Sequence, residues 1–108
     1  MTATVTTLLT RREEVHAELE HGDRHLVHLL KNPEPEMESA PLGDVLCWCE
    51  GLDEAAATVI LAAARLNWGR RLSLLTWRDI AAVCWAVKTH FPGPWERWRE
   101  VREGRAAA

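Results

Sequence analysis

Apolar residues recur every three or four positions along most of this chain, which is the spacing of one face of an α-helix. The strict alternation of a half-buried strand is absent, as are the Asn-Gly and Asp-Gly pairs of tight hairpins. A chain of 108 residues favours one domain around a single core. We therefore predict an all-α fold, a small bundle of four to five helices with a Pro-rich break after a long N-terminal helix.

The first predicted helix runs from about residue 6 to residue 30, within an N-terminal segment that spans residues 1–31. Its apolar positions step alternately by four and three residues, as they do in helices that pair along their length. Arg12 and Gly22 occupy two of the positions in this series and interrupt the apolar pattern, and Gly22-Asp23 marks a kink or a break. The apolar positions on this face, which we call the N-terminal seam, are Leu8, Val15, Leu19, Leu26 and Leu29.

Residues 32–41 form an acidic linker that contains Pro33 and Pro35, and two such prolines cannot continue a helix. Because this linker is expected to be loose and exposed, the N-terminal seam predicts pairing with a second copy, which would make the protein a homodimer. Residues 42–105 are predicted to form the packed helical unit.

Four further helices are predicted. The second spans about residues 40–50 and is capped by Ser39. The third runs from residue 53 to Gly69, and because its middle is apolar on every face it is predicted to be the buried centre of the bundle. The fourth begins at a capping box made by Thr76 and Asp79 and ends near His90. The fifth begins at Pro94.

Six tryptophans, with one phenylalanine and no tyrosine, set the chain apart from ordinary domains. Trp77 and Trp85 lie on the fourth helix and are predicted to fill the core. Trp95 and Trp98 lie on an arginine-rich helix, and tryptophan and arginine are the residues that dominate binding hot spots. The predicted partner-binding surface consists of Trp68, Arg70, Arg71, Trp95, Arg97, Trp98, Arg99 and Arg102.

The preferred interpretation is a non-enzymatic protein-interaction module that self-associates and captures a protein partner of unknown identity on this surface. A phage- or plasmid-type accessory or inhibitor protein fits its size and acidity.

Nucleic-acid binding is the first alternative. The net charge of −3 is divided unequally, since residues 1–64 carry −8 and residues 65–108 carry +5. Residues 76–82 resemble the first helix of a helix-turn-helix, and residues 94–105 would then be its recognition helix. Arg70, Arg71 and Arg78 would contact phosphates. Against this interpretation, three glutamates alternate with the arginines of the last helix.

A metal-binding helical bundle is the second alternative. Glu18, His21 and His25 lie along one edge of the predicted first helix, and Glu-x-x-His is the spacing of di-iron carboxylate bundles. A complete site would need a dimer, because the chain supplies one such motif. Cys47, Cys49 and Cys84 are interpreted instead as small buried hydrophobes, so no cofactor is expected apart from this candidate metal.

An enzyme is not favoured, because the sequence has no phosphate-binding glycine loop, nucleophile elbow or zinc-protease motif. An odd number of cysteines and no N-terminal apolar segment predict a cytoplasmic protein. No apolar run is long enough to span a membrane.

Overall fold

A computed structural model describes residues 2–21 and 25–107 of the chain, with the side chains of residues 11–21 and 25–100. Its α-helices are α1 (Thr2–Glu20), α2 (Leu26–Lys31), α3 (Leu42–Trp48), α4 (Glu54–Ala64), α5 (Trp77–His90) and α6 (Pro92–Ala107). The described ranges contain no strand, and Pro41 and Arg71 form an isolated backbone bridge. The predicted all-α bundle is confirmed, and the described residues form six helices in place of four or five.

The long N-terminal helix of the prediction is two helices. α1 ends at Glu20, and α2 begins after His25, whose Nδ1 accepts the backbone N–H of Val27 at 3.2 Å and caps the new helix. Gly22 and Asp23, where a break was expected, lie outside the described residues.

The N-terminal seam faces the chain's own core. Four of its members are at most 1% exposed: Val15, Leu19, Leu26 and Leu29. Leu8 lies among the residues whose side chains are not described. The described part of the apolar surface from which a homodimer was predicted is therefore covered within one chain.

The acidic linker is attached to α1. It contains a 3-10 turn at Pro35–Met37, and Met37 is fully buried. Arg11 forms two hydrogen bonds with the carboxylate of Glu34, at 2.5 and 2.6 Å, and Arg12 donates to the backbone oxygen of Glu36 at 2.7 Å. The loose connection expected from the prolines is thus a docked segment that closes one side of the core.

α4 is buried on one side only, so the prediction that it is surrounded by other elements is wrong. Ile60 and Leu61 face the core, whereas the side chain of Val59 is 43% exposed. Asp53 caps the helix as predicted, accepting the backbone N–H of Ala56 at 2.8 Å. The helix ends at Ala64, with Arg65 as its C-cap, and not at Gly69 as predicted. Most of its apolar residues are alanines, which lose little by facing water.

The start of α5 agrees with the sequence. The Thr76 hydroxyl accepts the backbone N–H of Asp79 at 3.1 Å, and the Asp79 carboxylate accepts the backbone N–H of Thr76 at 3.0 Å, which completes the predicted capping box. The helix ends at His90. Phe91 alone separates it from α6, which begins at Pro92 and not at Pro94.

α5 turns its small aliphatic residues inward and its tryptophans outward. Val83, Ala86 and Val87 are buried, whereas Trp77 and Trp85 are 75% and 60% exposed. The prediction that these two tryptophans fill the core is therefore wrong. Leucine, valine, alanine and methionine make up most of that core. No helix in the described ranges is long and apolar enough to cross a membrane.

Candidate nucleic-acid interface

The segment that joins α4 to α5, residues 65–76, is the most basic part of the chain. From residue 65 to residue 78 there are four arginines and no acidic residue. We call this set the arginine cluster, and it consists of Arg65, Arg70, Arg71 and Arg78.

Backbone hydrogen bonds fix the connection against the start of α3. The N–H of Leu42 donates to the oxygen of Arg70 at 2.7 Å, and the N–H of Gly43 donates to the oxygen of Trp68 at 2.9 Å. On the other side of this pairing, the N–H of Leu72 donates to the oxygen of Ala40 at 3.2 Å. The arginines therefore project from a backbone that is held by an adjacent element, which limits the entropy lost when they bind.

Trp68 adds a side-chain anchor to the same pairing. Its Nε1 donates to the carboxylate of Asp44 at 2.9 Å, and its ring packs directly against Gly43, where a Cβ atom would overlap the ring. Trp68 belongs to the predicted partner surface, but it is half-buried. Its ring and N–H hold the connection against α3.

The members of the arginine cluster are exposed. Arg70 donates to the backbone oxygen of Leu74 at 3.2 Å and lies 3.9 Å from the carboxylate of Asp79. Among the described residues, no carboxylate lies within ion-pair distance of Arg65, Arg71 or Arg78. Three cationic side chains are thus available to an anionic partner.

Arg65 was not among the phosphate-binding residues predicted from the sequence. It ends α4 in the left-handed conformation, with φ 57° and ψ 43°, where glycine is the usual residue. The signal that suggested Gly69 as the end of the helix, a glycine after an apolar run, therefore pointed to the wrong residue.

The predicted partner-binding tryptophans of α6 are in the core. Trp98 is 1% exposed, and its Nε1 donates to the backbone oxygen of Glu50 at 2.9 Å. Trp95 is 8% exposed and packs edge-on against His25, with ring centroids 4.5 Å apart. The assignment of Trp95 and Trp98 to a binding surface is therefore corrected, because the apolar face of α6 is the one that docks.

The arginines of α6 have acidic neighbours. Arg97 donates to the carboxylate of Glu50 at 3.2 Å, and Arg99 lies 3.8 Å from the carboxylate of Glu96. The side chain of Arg102 lies outside the described residues. The outward face of α6 that the structure describes is therefore mixed in charge and less suited to phosphate than the arginine cluster.

The exposure of Trp77 and Trp85 on α5 was not predicted from the sequence. Trp77 and Trp85 stand on its outward side, and the Arg78 guanidinium lies over the Trp77 ring, 5.4 Å from its centroid. A stripe that combined these tryptophans with Ala81 and Lys88 is visible in the sequence. Periodicity alone does not say which of two neighbouring stripes faces the core.

The candidate metal ligands are not held in one helical register. Glu18 lies 3.8 Å from Arg11 near the end of α1, His21 is exposed just beyond it, and His25 is buried as the cap of α2. In the part of the chain that the structure describes, no three potential ligands form a metal-binding group. Metal binding stays a prediction, which elemental analysis of the purified protein would check.

Cys49 is buried, and Cys47 and Cys84 are partly buried. Burial raises the thiol pKa of all three, most strongly for Cys49, which is fully buried and donates to the backbone oxygen of Val45. For Cys84 the charges of Lys31 and Lys88 oppose that rise in pKa. High thiol pKa values keep these groups protonated near neutral pH, where they are weak nucleophiles and poor metal ligands.

The fold of this chain matches a solved structure, although its sequence matches no known family. No protein-family model and no curated protein matches the chain. A solved structure described as sIHF bound to an 8-bp palindromic DNA matches with a TM-score of 0.69 over 75% of this chain and 93% of the other. The two sequences are 19% identical, so the likeness is one of fold.

Proposed function

We propose that this protein binds duplex DNA, and that the arginine cluster contacts its phosphate backbone. The observation that carries the proposal is the cluster itself. Three exposed arginines lie on a fixed connection and the fourth, Arg78, lies in the first turn of α5, with no acidic residue from position 65 to position 78. The fold likeness supports the same function, because the matching structure contains a protein bound to DNA.

Electrostatics supports this location over the rest of the surface. Arginine side chains that neutralise phosphates release condensed counterions, and this term supplies most of the affinity in binding without sequence preference. The chain as a whole carries −3, so a basic region must be local to attract DNA. The acidic charges are concentrated in residues 1–64, before the arginine cluster.

The proposed contacts are to phosphates and not to base edges. Helix-turn-helix proteins read bases with the exposed side of a recognition helix, and α6 presents arginines there that lie beside Glu50 and Glu96. Phosphate contacts fix position on the duplex and carry no sequence information directly. We therefore expect weak sequence preference.

The test is the salt dependence of duplex binding, measured by fluorescence anisotropy with a short labelled duplex of arbitrary sequence. Three to four neutralised phosphates give a slope of log affinity against log salt of about −3 to −4. Replacing Arg70 and Arg71 together by alanine is expected to make that slope shallower by about two and to lower affinity at low salt.

The matched control is Arg97→Ala, which removes one arginine that is already beside Glu50 on another part of the surface. This variant is expected to leave the slope unchanged. Wild-type protein that fails to bind the duplex at low salt would contradict the proposal, and so would an Arg70/Arg71 variant that binds like wild type.

The protein-interaction module and the homodimer predicted from the sequence are not part of this proposal. The first included Trp95 and Trp98 in its partner-binding surface, and both side chains are buried within one chain. The second relied on the N-terminal seam, whose described members are also buried.

A further inference from the structure

An apolar groove with a cationic rim lies between α2 and α5 and has a volume of about 480 Å³. Val27, Ile80 and Cys84 line its apolar part, and Trp77 and Trp95 contribute ring surface. None of its lining residues is acidic.

The two cations of the groove are lysines on different helices. Lys31 ends α2 and Lys88 is in the last turn of α5, where its ammonium lies 5.5 Å from the centroid of the Trp95 ring. Both lysines are exposed. Apolar surface beside unopposed cations favours an occupant that is itself both apolar and anionic.

The outside of α5 also carries Trp85, which does not line the groove and is 60% exposed. Trp77 and Trp85 are two turns apart, which is about 12 Å along the helix axis at 1.5 Å per residue. That distance spans three to four stacked nucleotides at about 3.4 Å each. Ala81 lies between them and is exposed, so its small side chain does not block access to either ring.

We infer that Trp77 and Trp85 stack the unpaired bases of a single-stranded nucleic acid, whose phosphates are held by Lys31, Lys88 and Arg78. Base stacking on aromatic rings within a positively charged groove is the general mode by which proteins bind single strands. Every base has a flat face, so this surface is expected to accept strands of any sequence.

A second copy of the chain fits the same face less well. Two α5 helices that pack through their outward sides would bring the cations Arg78 and Lys88 of both copies together. The groove has no carboxylate to offset these charges, since Glu96 lines only the adjoining depression. An anionic strand neutralises these charges.

The inference rests on the proposed function through Arg78, which belongs to the arginine cluster and also lies over the Trp77 ring. The remaining groups of the two surfaces are different. Variants therefore separate duplex binding from single-strand binding.

The experiment titrates the full chain with a labelled oligo-dT strand of about twelve nucleotides, within the range of strand lengths that such surfaces cover. Trp77→Ala combined with Trp85→Ala is expected to lower oligo-dT affinity by about tenfold or more. The same double substitution to phenylalanine retains a stacking ring and is expected to remain within about threefold of wild type. Duplex affinity is expected to change by less than about twofold in both variants, because phosphate contacts dominate there.

The control variant is Val59→Ala, which shortens an exposed apolar side chain on α4, away from the groove. It is expected to leave oligo-dT affinity unchanged, and far-UV circular dichroism checks that each variant keeps its helices.

Several results would overturn the inference. One is wild-type protein that does not bind oligo-dT at low salt, and another is an alanine double variant that binds it like wild type. A wild-type dimer in sedimentation that becomes a monomer in the alanine variant would assign the face to a second copy. An acidic helical peptide that occupies the face while oligo-dT does not would assign it to a protein segment.

The two proposals fail in different ways. Loss of oligo-dT binding in the tryptophan variant without any wild-type duplex binding would reject the proposed function and keep the inference. Duplex binding that depends on Arg70 and Arg71, together with oligo-dT binding that ignores the tryptophans, would do the reverse.

Discussion

Trp98 and Trp77 are the same residue type in opposite environments, and their difference follows from what lies beside each of them. Trp98 has a partner for its indole N–H in the backbone oxygen of Glu50, so it is buried without an unsatisfied donor. Trp77 is 75% exposed and lies beneath the guanidinium of Arg78. The size of a tryptophan side chain therefore does not by itself decide whether the residue is buried.

Replacing Trp98 by alanine is expected to lower the free energy of unfolding by about 3–5 kcal/mol, because it removes a buried ring and leaves a cavity. Urea denaturation followed by circular dichroism measures this loss. Trp77→Ala is the matched control and is expected to change stability by less than about 0.5 kcal/mol, as at other exposed positions. Equal losses in the two variants would contradict the burial described for Trp98.

The sequence showed that the tryptophans are unusual in number, but it did not show which of them are buried and which are exposed. Composition and periodicity show that Trp77 and Trp85 share one side of α5, which the structure confirms by leaving both exposed. The residues of α5 that face the core are Val83, Ala86 and Val87. They are smaller than tryptophan and give a weaker signal of burial in the sequence. Which side of a helix faces inward is decided by the neighbouring helices, and a single sequence does not specify their arrangement.

Local signals predicted both boundaries of α5 correctly but missed the end of α4 and the start of α6. The capping box at Thr76 was found because its hydrogen bonds join residues three apart in sequence. The end of α4 was missed because Arg65 takes the left-handed conformation without being a glycine. The docking of the acidic linker depends on a hydrogen-bonded pair, Arg11 and Glu34, whose residues are 23 positions apart. Local sequence patterns do not predict pairs at such a separation.

The connection between α4 and α5 depends on close packing at Gly43. Gly43→Ala is expected to lower the free energy of unfolding by about 1–3 kcal/mol, since a methyl group there overlaps the Trp68 ring and forces the connection outward. Thermal unfolding measures the loss, and duplex affinity should fall with it because the arginine cluster moves.

Gly69→Ala is the control for this change. No atom lies within 4 Å of the position that a Cβ would take at Gly69, so its substitution is expected to alter stability by less than about 0.5 kcal/mol. A Gly43→Ala protein as stable as the Gly69→Ala protein would show that Trp68 does not pack against α3 as described.

Glu50 joins the first and last helices of the molecule. Its backbone N–H donates to the oxygen of Leu19 in α1 at 2.9 Å, its backbone oxygen accepts from Trp98 in α6, and its carboxylate accepts from Arg97. α1 and α6 therefore depend on the same turn between α3 and α4. Loss of either helix exposes apolar residues that belong to one common core.

We expect the protein to unfold in a single cooperative step. Urea transitions followed by circular dichroism, which reports all helices, and by tryptophan fluorescence, which is dominated by α5 and α6, are expected to coincide. A fluorescence transition at lower urea than the circular dichroism transition would show that α6 separates from an otherwise folded bundle.

The bond between Trp98 and Glu50 also has a consequence for synthesis. The two residues are 48 positions apart, and translation proceeds at about 5–20 residues per second, so Glu50 waits about 2–10 seconds for its partner. During that interval the nascent chain carries the leucines of α1 and α3 without the helix that completes their cover. These seconds on the ribosome are when the chain is most exposed to chaperones and to aggregation.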